Sequence, residues 1–192
     1  MIPFRTAGGM IDLAALRPQD VTLEKIGDAL SKVNRFTGRT PEPWSVAAHS
    51  VLVARLCPPE HRAWGLLHDA HEVFLGDITS PAVELMAALE PRMKAGIAAA
   101  KEHLDRAILI AWDVHPVFSR RVVEDMDKVA LAAEMHVLLD DPVAVPVELS
   151  DAFDAAVSLV RDYAALDWRG ARALWTGEAE RYAGLDLLRL PA

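Results

Sequence analysis

One stretch limits what this chain can become. Residues 65–72 read Gly-Leu-Leu-His-Asp-Ala-His-Glu, so His68 and Asp69 lie side by side within an apolar run of helical character. Burying an imidazole beside a carboxylate is costly unless something binds both groups, and a divalent metal ion does so. Adjacent helical residues project about 100° apart, so further ligands are expected on other helices. A capping or ion-paired Asp beside a core His is the alternative interpretation.

The rest of the chain is typical of a helical protein. Its 192 residues suffice for one domain, and 52% of them are hydrophobic with only 6% aromatic. Apolar residues recur at helical spacing, which predicts an all-α, compact single-domain helical bundle over residues 1–192. The first 20 residues read as irregular with a short hairpin. Helices are predicted near residues 22–33, 45–56, 59–74, 82–89, 92–112, 119–139, 150–165 and 168–183, with Ser45 as an N-cap.

Charge and cysteine content restrict the partners. A formal net charge of −8 argues against binding a nucleic-acid polymer or an anionic membrane surface. It still permits a small phosphorylated substrate, because a metal ion and one or two Arg reverse the sign locally. The single cysteine excludes an intrachain disulfide and suggests a reducing compartment. With no signal-peptide layout and no apolar run near the ~18 residues of a membrane span, we expect a cytoplasmic protein without a membrane partner.

Two further residues are candidate ligands beside His68 and Asp69. His49 faces the interior of the preceding helix, which a short Pro-rich turn joins to the next. Taken alone, such a His is more often an ordinary core residue. Asp127 has apolar neighbours one helical turn away, whereas Asp125 lies among basic residues, as an exposed ion pair does. The mixed nitrogen and oxygen set suits one divalent transition metal: Mn, Co, Zn or Fe.

The order of these residues resembles a known family, the HD-domain metal-dependent phosphohydrolases. The longer pattern is similar to the bacterial and phage branch typified by 5′-deoxynucleotidases. It runs through Arg35, Val46-Ala47-Ala48-His49-Ser50, Leu67-His68-Asp69-Ala70-His71-Glu72, Gly76-Asp77 and Asp127. The match covers about residues 25–140, with the helices of residues 150–185 expected to pack on that core. The resemblance implies an all-helical fold with one metal ion held by His49, His68, Asp69 and Asp127.

Catalytic and substrate-binding roles follow for five more residues. Glu72 lies one turn after His68, so it can orient or deprotonate water or protonate the leaving oxygen, unless it is an ordinary surface Glu. The resemblance makes Asp77 a second acidic residue near the scissile bond, and Arg35 a bidentate phosphate ligand. Trp44 could stack on a base, although packing is the commoner role of such a Trp. His71 stands where many relatives have a small residue, which leaves open a substrate contact or a second metal.

The sequence therefore predicts an enzyme that releases phosphate from deoxynucleoside 5′-monophosphates. A deoxynucleoside triphosphate triphosphohydrolase is the close alternative. Few basic residues lie near the motifs, and Arg39 and Lys128 are more typical of solvated charges, which favours the monophosphate. A degenerate HD module that senses a nucleotide is the alternative from another class.

Self-association is also expected from the C-terminal segment, as a homo-oligomer that is a dimer or larger. The segment is rich in large apolar groups that form either core or a self-association surface: Leu166, Trp168, Leu174, Trp175, Tyr182 and Leu185.

Overall fold

Helices make up most of the chain in a computed structural model that describes residues 1–116 and 119–191. A short antiparallel hairpin comes first, formed by β1 (Pro3–Thr6) and β2 (Gly9–Asp12). The helices that follow are α1 (Leu23–Leu30), α2 (Val46–Leu56), α3 (Arg62–Leu67), α4 (Glu72–Leu75), α5 (Ser80–Leu89), α6 (Arg92–Ala111), α7 (Arg120–Leu138), α8 (Ser150–Tyr163) and α9 (Trp168–Gly184). The predicted all-α fold and the hairpin are both confirmed.

Helix α2 is the centre of the bundle, and it packs against α1, α3, α7, α8 and α9. Nearly all of its side chains are apolar or small, and those from Val46 to Ala54 are buried. The predicted N-cap is present, since the Ala48 N–H donates to Ser45 Oγ at 3.2 Å. Because His49 belongs to the buried face of this central helix, its imidazole projects directly into the core.

The predicted continuous helix over residues 59–74 is wrong. A 3₁₀ turn (Pro59–His61) leads into α3, and the chain then leaves regular α-helix until α4 begins at Glu72. Tight hydrogen bonds between residues three apart wind this linking segment, residues 68–71: the Ala70 N–H donates to the Leu67 carbonyl at 2.9 Å, and the Glu72 N–H to the Asp69 carbonyl at 3.0 Å. The interruption falls on the pair His68-Asp69. Helical periodicity in the sequence therefore predicts an α-helix where the chain forms a tight turn.

Close packing of α3 on α2 depends on Gly65. A Cβ added there would lie 3.0 Å from Ala54 Cα and 3.3 Å from Ala54 N, both backbone atoms that cannot move aside. We expect Gly65→Ala to destabilise the protein by about 1–3 kcal/mol, as overpacked cores do. Gly96 is the matched control, because a Cβ there meets nothing within 4 Å in α6. Gly96→Ala should stabilise by up to ~1 kcal/mol. Urea unfolding of both variants checks the prediction, and equal effects would contradict it.

The C-terminal apolar residues belong mainly to the core. Trp175 and Tyr182 are fully buried, and Leu166 and Leu174 are partly buried against the same cluster. The exceptions are Leu185, at 57% exposure, and Trp168, which is partly exposed. The buried side chains therefore do not supply a self-association surface, and the homo-oligomer stays a prediction. Among the described residues, no helix combines the length and apolarity required to cross a membrane.

Candidate metal centre and its cavity

The four predicted metal ligands lie close together between α2, the residue 68–71 turn and α7. His49, His68 and Asp69 each place one ligand atom within 4.8 Å of the others. His49 Nε2 lies 3.1 Å from Asp127 Oδ1 and 3.6 Å from Asp69 Oδ2. His68 Nε2 lies 3.2 Å from Asp69 Oδ2 and 3.9 Å from Asp127 Oδ1. Ligands held at ~2.1 Å from one tetrahedral ion are about 3.4 Å apart, so this spacing fits a shared cation. Asp127 keeps 41% of its side chain exposed while directing Oδ1 at His49.

Both imidazoles are oriented to present Nε2 to the centre. The His68 Nδ1–H donates to the Gly65 carbonyl at 2.7 Å, and the His49 Nδ1–H donates to Glu134 Oε1 at 2.6 Å. Within residues 1–116 and 119–191, both Nε2 atoms are buried without a hydrogen-bond partner of acceptable geometry. Two such nitrogens facing two carboxylates fit a metal ion, because outer hydrogen bonds of this kind fix the tautomer of metal-bound His.

Glu134 is the main site residue that the sequence reasoning missed. It is fully buried in α7 and accepts hydrogen bonds from three side chains: His49, Trp44 Nε1 at 2.9 Å and Arg35 Nε at 3.0 Å. Asp127 lies two helical turns earlier on the same stripe. Glu134, like Asp127, is a carboxylate on a core-facing stripe of α7, so the sequence pattern that indicates Asp127 also indicates Glu134.

The site's carboxylates and imidazoles perturb one another strongly. Burial and Arg35 oppose protonation of His49, but Glu134 and Asp127 outweigh them and raise its pKa to about 10. Burial would raise the pKa of Asp69, yet the neighbouring His68, His49 and Arg35 hold it well below the usual range. Burial would likewise raise the pKa of Asp127, but His49 and His68 lower it. These two ligand carboxylates are therefore ionised and attract positive charge to this point.

Glu72 lies in a different environment from these ligands. Burial, reinforced by the charges of Asp69 and Asp77, raises the pKa of Glu72 to about 9. Burial also raises the pKa of Asp77, with Arg35 opposing and Asp69 assisting. Two acidic groups with raised pKa values thus adjoin two ligand carboxylates, Asp69 and Asp127, whose pKa values are lowered, a separation common in catalytic sites.

A cavity of about 570 Å³ opens onto the centre. Its polar wall carries Asp69, Glu72, Asp77 and Asp127 together with three cations, Arg35, Arg39 and Lys101. Its apolar wall carries Phe36, Ile78, Leu131, Met135 and Leu139. The structure thus places the predicted residues Arg35, Glu72 and Asp77 around one cavity, and it adds Lys101, which the sequence did not indicate.

Arg35 is held in place at the cavity wall. Its Nη2 lies 3.0 Å from Glu134 Oε2, and its Nη1 lies 3.8 Å from Asp69 Oδ2. The next two residues, Phe36 and Thr37, have φ values of +54° and +53°, which non-glycine residues rarely adopt. A strained turn directly after a buried guanidinium is a feature of binding sites, where surrounding contacts compensate for the strain.

Two predicted substrate contacts are not formed as expected. Trp44 is only 1% exposed and donates to Glu134, so its ring has no free face for a base and the predicted stacking role is wrong. His71 is buried, and its Nδ1–H donates to Asp105 Oδ1 at 2.8 Å. It is not among the residues that line the cavity. Burial of these side chains follows from tertiary packing, which local sequence does not report.

Comparison with known proteins yields relatives without an assigned role. No family model matches the chain. The uncharacterized protein YfdR of Escherichia coli is 33% identical over 133 residues, which cover 69% of this chain and 70% of YfdR. The uncharacterized protein RCAP_rcc00048 of Rhodobacter capsulatus is 39% identical over 84 residues, covering 39% of this chain and 43% of that protein. By the extent and identity of the first match, the chain belongs to the same family as YfdR.

Proposed function

We propose that this protein is a metal-dependent phosphohydrolase of the HD-domain type that releases phosphate from deoxynucleoside 5′-monophosphates. One observation carries the proposal: two buried Nε2 atoms, of His49 and His68, face the carboxylates of Asp69 and Asp127 at 3.1–3.9 Å beside an open cavity. The order of these residues along the chain, which resembles that of HD-domain enzymes, supports the same assignment.

The residues around the centre divide the work of phosphate ester hydrolysis. A divalent ion held by the four ligands would supply a Lewis acid for a phosphate oxygen and lower the pKa of water. Arg35 faces the cavity and offers N–H donors to the phosphate, with its position held by Glu134. Glu72 shares the cavity wall with Asp69, so we assign it to orienting water or to proton transfer with the leaving oxygen. Asp77, on the same wall, is assigned to the scissile bond or the sugar.

The size and composition of the cavity support a nucleotide substrate. Pockets for small organic ligands have volumes of roughly 300–1,000 Å³, and this one has about 570 Å³. Its apolar wall suits a base and sugar, while its cations suit phosphate. The apolar residues Leu131 and Met135 lie on α7, the helix that also carries the ligand Asp127, and Leu139 directly follows that helix. A substrate that spans both walls would therefore have its phosphate close to the metal centre.

A second candidate is a deoxynucleoside triphosphate triphosphohydrolase. The observation that favours it is the pair Arg39 and Lys101, which line the same cavity as Arg35 and can bind phosphates beyond the first. Both candidate reactions use the same metal centre. They differ in the product that is released.

A nucleotide panel separates the candidates. Purified protein is stripped with a chelator, reloaded with Mn²⁺, Co²⁺ or Zn²⁺, and assayed with deoxynucleoside mono-, di- and triphosphates. We expect inorganic phosphate from the monophosphates and none from protein left without metal. Tripolyphosphate released from triphosphates would support the second candidate instead. Protein that holds its ion but turns over no nucleotide would contradict both and favour a nucleotide sensor.

A further inference from the structure

A second group of potential metal ligands adjoins the first centre. Asp69, His71 and Glu72 each place one ligand atom within 4.8 Å of the others. His71 and Glu72 are only 4% and 3% exposed. Within the described part of the chain, His71 Nε2 and Glu72 Oε2 are buried atoms without a hydrogen-bond partner. Two adjacent residues of this group therefore each leave a buried polar atom without a hydrogen-bond partner.

His71 is oriented as a metal-binding His would be. Its Nδ1–H donates to Asp105 Oδ1 on α6 at 2.8 Å, which leaves the Nε2 lone pair free on the neutral ring. A carboxylate on the far nitrogen of a metal-bound His is the common outer contact that fixes its ring and raises its basicity. The first centre is arranged in the same way, with Glu134 on His49 and the Gly65 carbonyl on His68.

The proposed function leaves His71 without a task. It is buried, does not line the cavity and is not one of the first centre's four ligands. An unpaired buried polar group is costly, and such groups in a folded protein mark a functional site or a bound ion or water. Here the unpaired nitrogen is Nε2 of His71. The adjacent residue, Glu72, also has an unpaired oxygen, and its carboxyl group lines the cavity.

We propose that His71, Glu72 and Asp69 form a second divalent-cation site, in which Asp69 is shared by two ions. The inference rests on the proposed function in that Asp69 also serves the first centre. When the second ion is bound, Glu72 would be its ligand and would not transfer a proton, so its role in the reaction would be to position that ion. One imidazole nitrogen and two carboxylates suit Mn, Fe, Co or Zn. Asp69 and Glu72 both line the cavity, so the ion could be reached from solvent and could contact a phosphate oxygen of the substrate. Paired ions that share a ligand lie about 3.5–4 Å apart in hydrolases.

Titration of metal-stripped protein with Mn²⁺ tests the proposal without any substrate. Equilibrium dialysis counts the ions bound per chain, and electron paramagnetic resonance reports whether they interact. We expect two ions per chain and, at saturation, a spectrum with exchange coupling between them. Adventitious Mn²⁺ on an acidic surface gives the spectrum of isolated ions. One ion per chain, or two that are uncoupled, would overturn the proposal.

Three variants assign the second ion to its residues. His71→Gln should bind one ion and lose the coupling, with the first ion retained. Asp105→Ala leaves every ligand in place and should weaken the second ion by about 10–100-fold, as loss of an outer carboxylate does. The control is His115→Gln, whose side chain is 87% exposed, and it should still bind two coupled ions. Thermal unfolding verifies each fold, and Asp105→Ala decides if His71→Gln does not fold. Two coupled ions in a folded His71→Gln, or unchanged affinity in Asp105→Ala, would overturn the assignment.

The outcome for the second metal site can be distinguished from the outcome for the proposed phosphohydrolase function. One bound ion together with phosphate release would reject the second site and retain the phosphohydrolase. Two coupled ions without turnover of any nucleotide would retain the site and reject that function.

Discussion

His68→Ala is expected to release the first metal ion and to lower phosphate release by at least ~10³-fold. The ion would be left with one imidazole and two carboxylates, and the Lewis acid supplies several kcal/mol of transition-state stabilisation, each 1.36 kcal/mol being tenfold in rate. His68 is a sensitive choice because its Nε2 faces both Asp69 and Asp127. Its other ring nitrogen bonds only a backbone carbonyl. The substitution therefore removes a ligand whose outer hydrogen bond involves no charged side chain.

Metal content per chain and phosphate release, measured on the same preparation, check this result. His115→Ala is the control, because the His115 side chain is 87% exposed and is not one of the proposed metal ligands. The two readouts should fall together in His68→Ala and remain at the wild-type level in the control. A folded His68→Ala protein that keeps its ion and its turnover would contradict the placement of the catalytic centre.

Glu134→Ala is expected to cause the largest loss of stability, about 3–5 kcal/mol. The carboxylate is fully buried and is shared by Arg35, His49 and Trp44. Its removal leaves a buried guanidinium facing a cavity in the core, and the cost of an uncompensated buried charge exceeds that of the lost contacts. Glu134→Gln should lose less, because the amide oxygen can still accept one hydrogen bond while the negative charge is gone.

Urea unfolding at neutral pH measures this loss, with Glu124→Ala as the matched control. Glu124 lies on the same helix with its side chain exposed, so its substitution should change the free energy of unfolding by less than ~0.5 kcal/mol. In Glu134→Gln we also expect metal affinity to fall by about 10–100-fold, because His49 loses the carboxylate that orients its ring. Equal effects at residues 134 and 124 would show that the buried network does not support the site.

Glu134 and Trp44 show which contacts local sequence patterns do not predict. Glu134 follows Asp127 by two turns on one helix, so the periodicity that identified one carboxylate also contained the other. Its three hydrogen-bond partners lie 85 to 99 residues earlier, and no local pattern connects them. The predicted stacking role of Trp44 is wrong for the same reason. A Trp beside a proline gives the same local sequence pattern whether its ring faces solvent or, as here, contacts a buried carboxylate.

Outside residues 59–74, the approximate bounds of the helices came from the sequence alone. So did the choice of candidate ligands: His49, His68, Asp69 and Asp127. Helical periodicity, caps and prolines act over a few residues, and the unusual polar groups stand out against an apolar stripe. Only the tertiary structure decided that tight turns replace α-helix at residues 68–71 and that Glu134 orients both His49 and Arg35. It also decided that His71 donates to Asp105. These features depend on how α2, α6 and α7 pack, because burial and charge pairing are set by contacts between residues far apart in the chain.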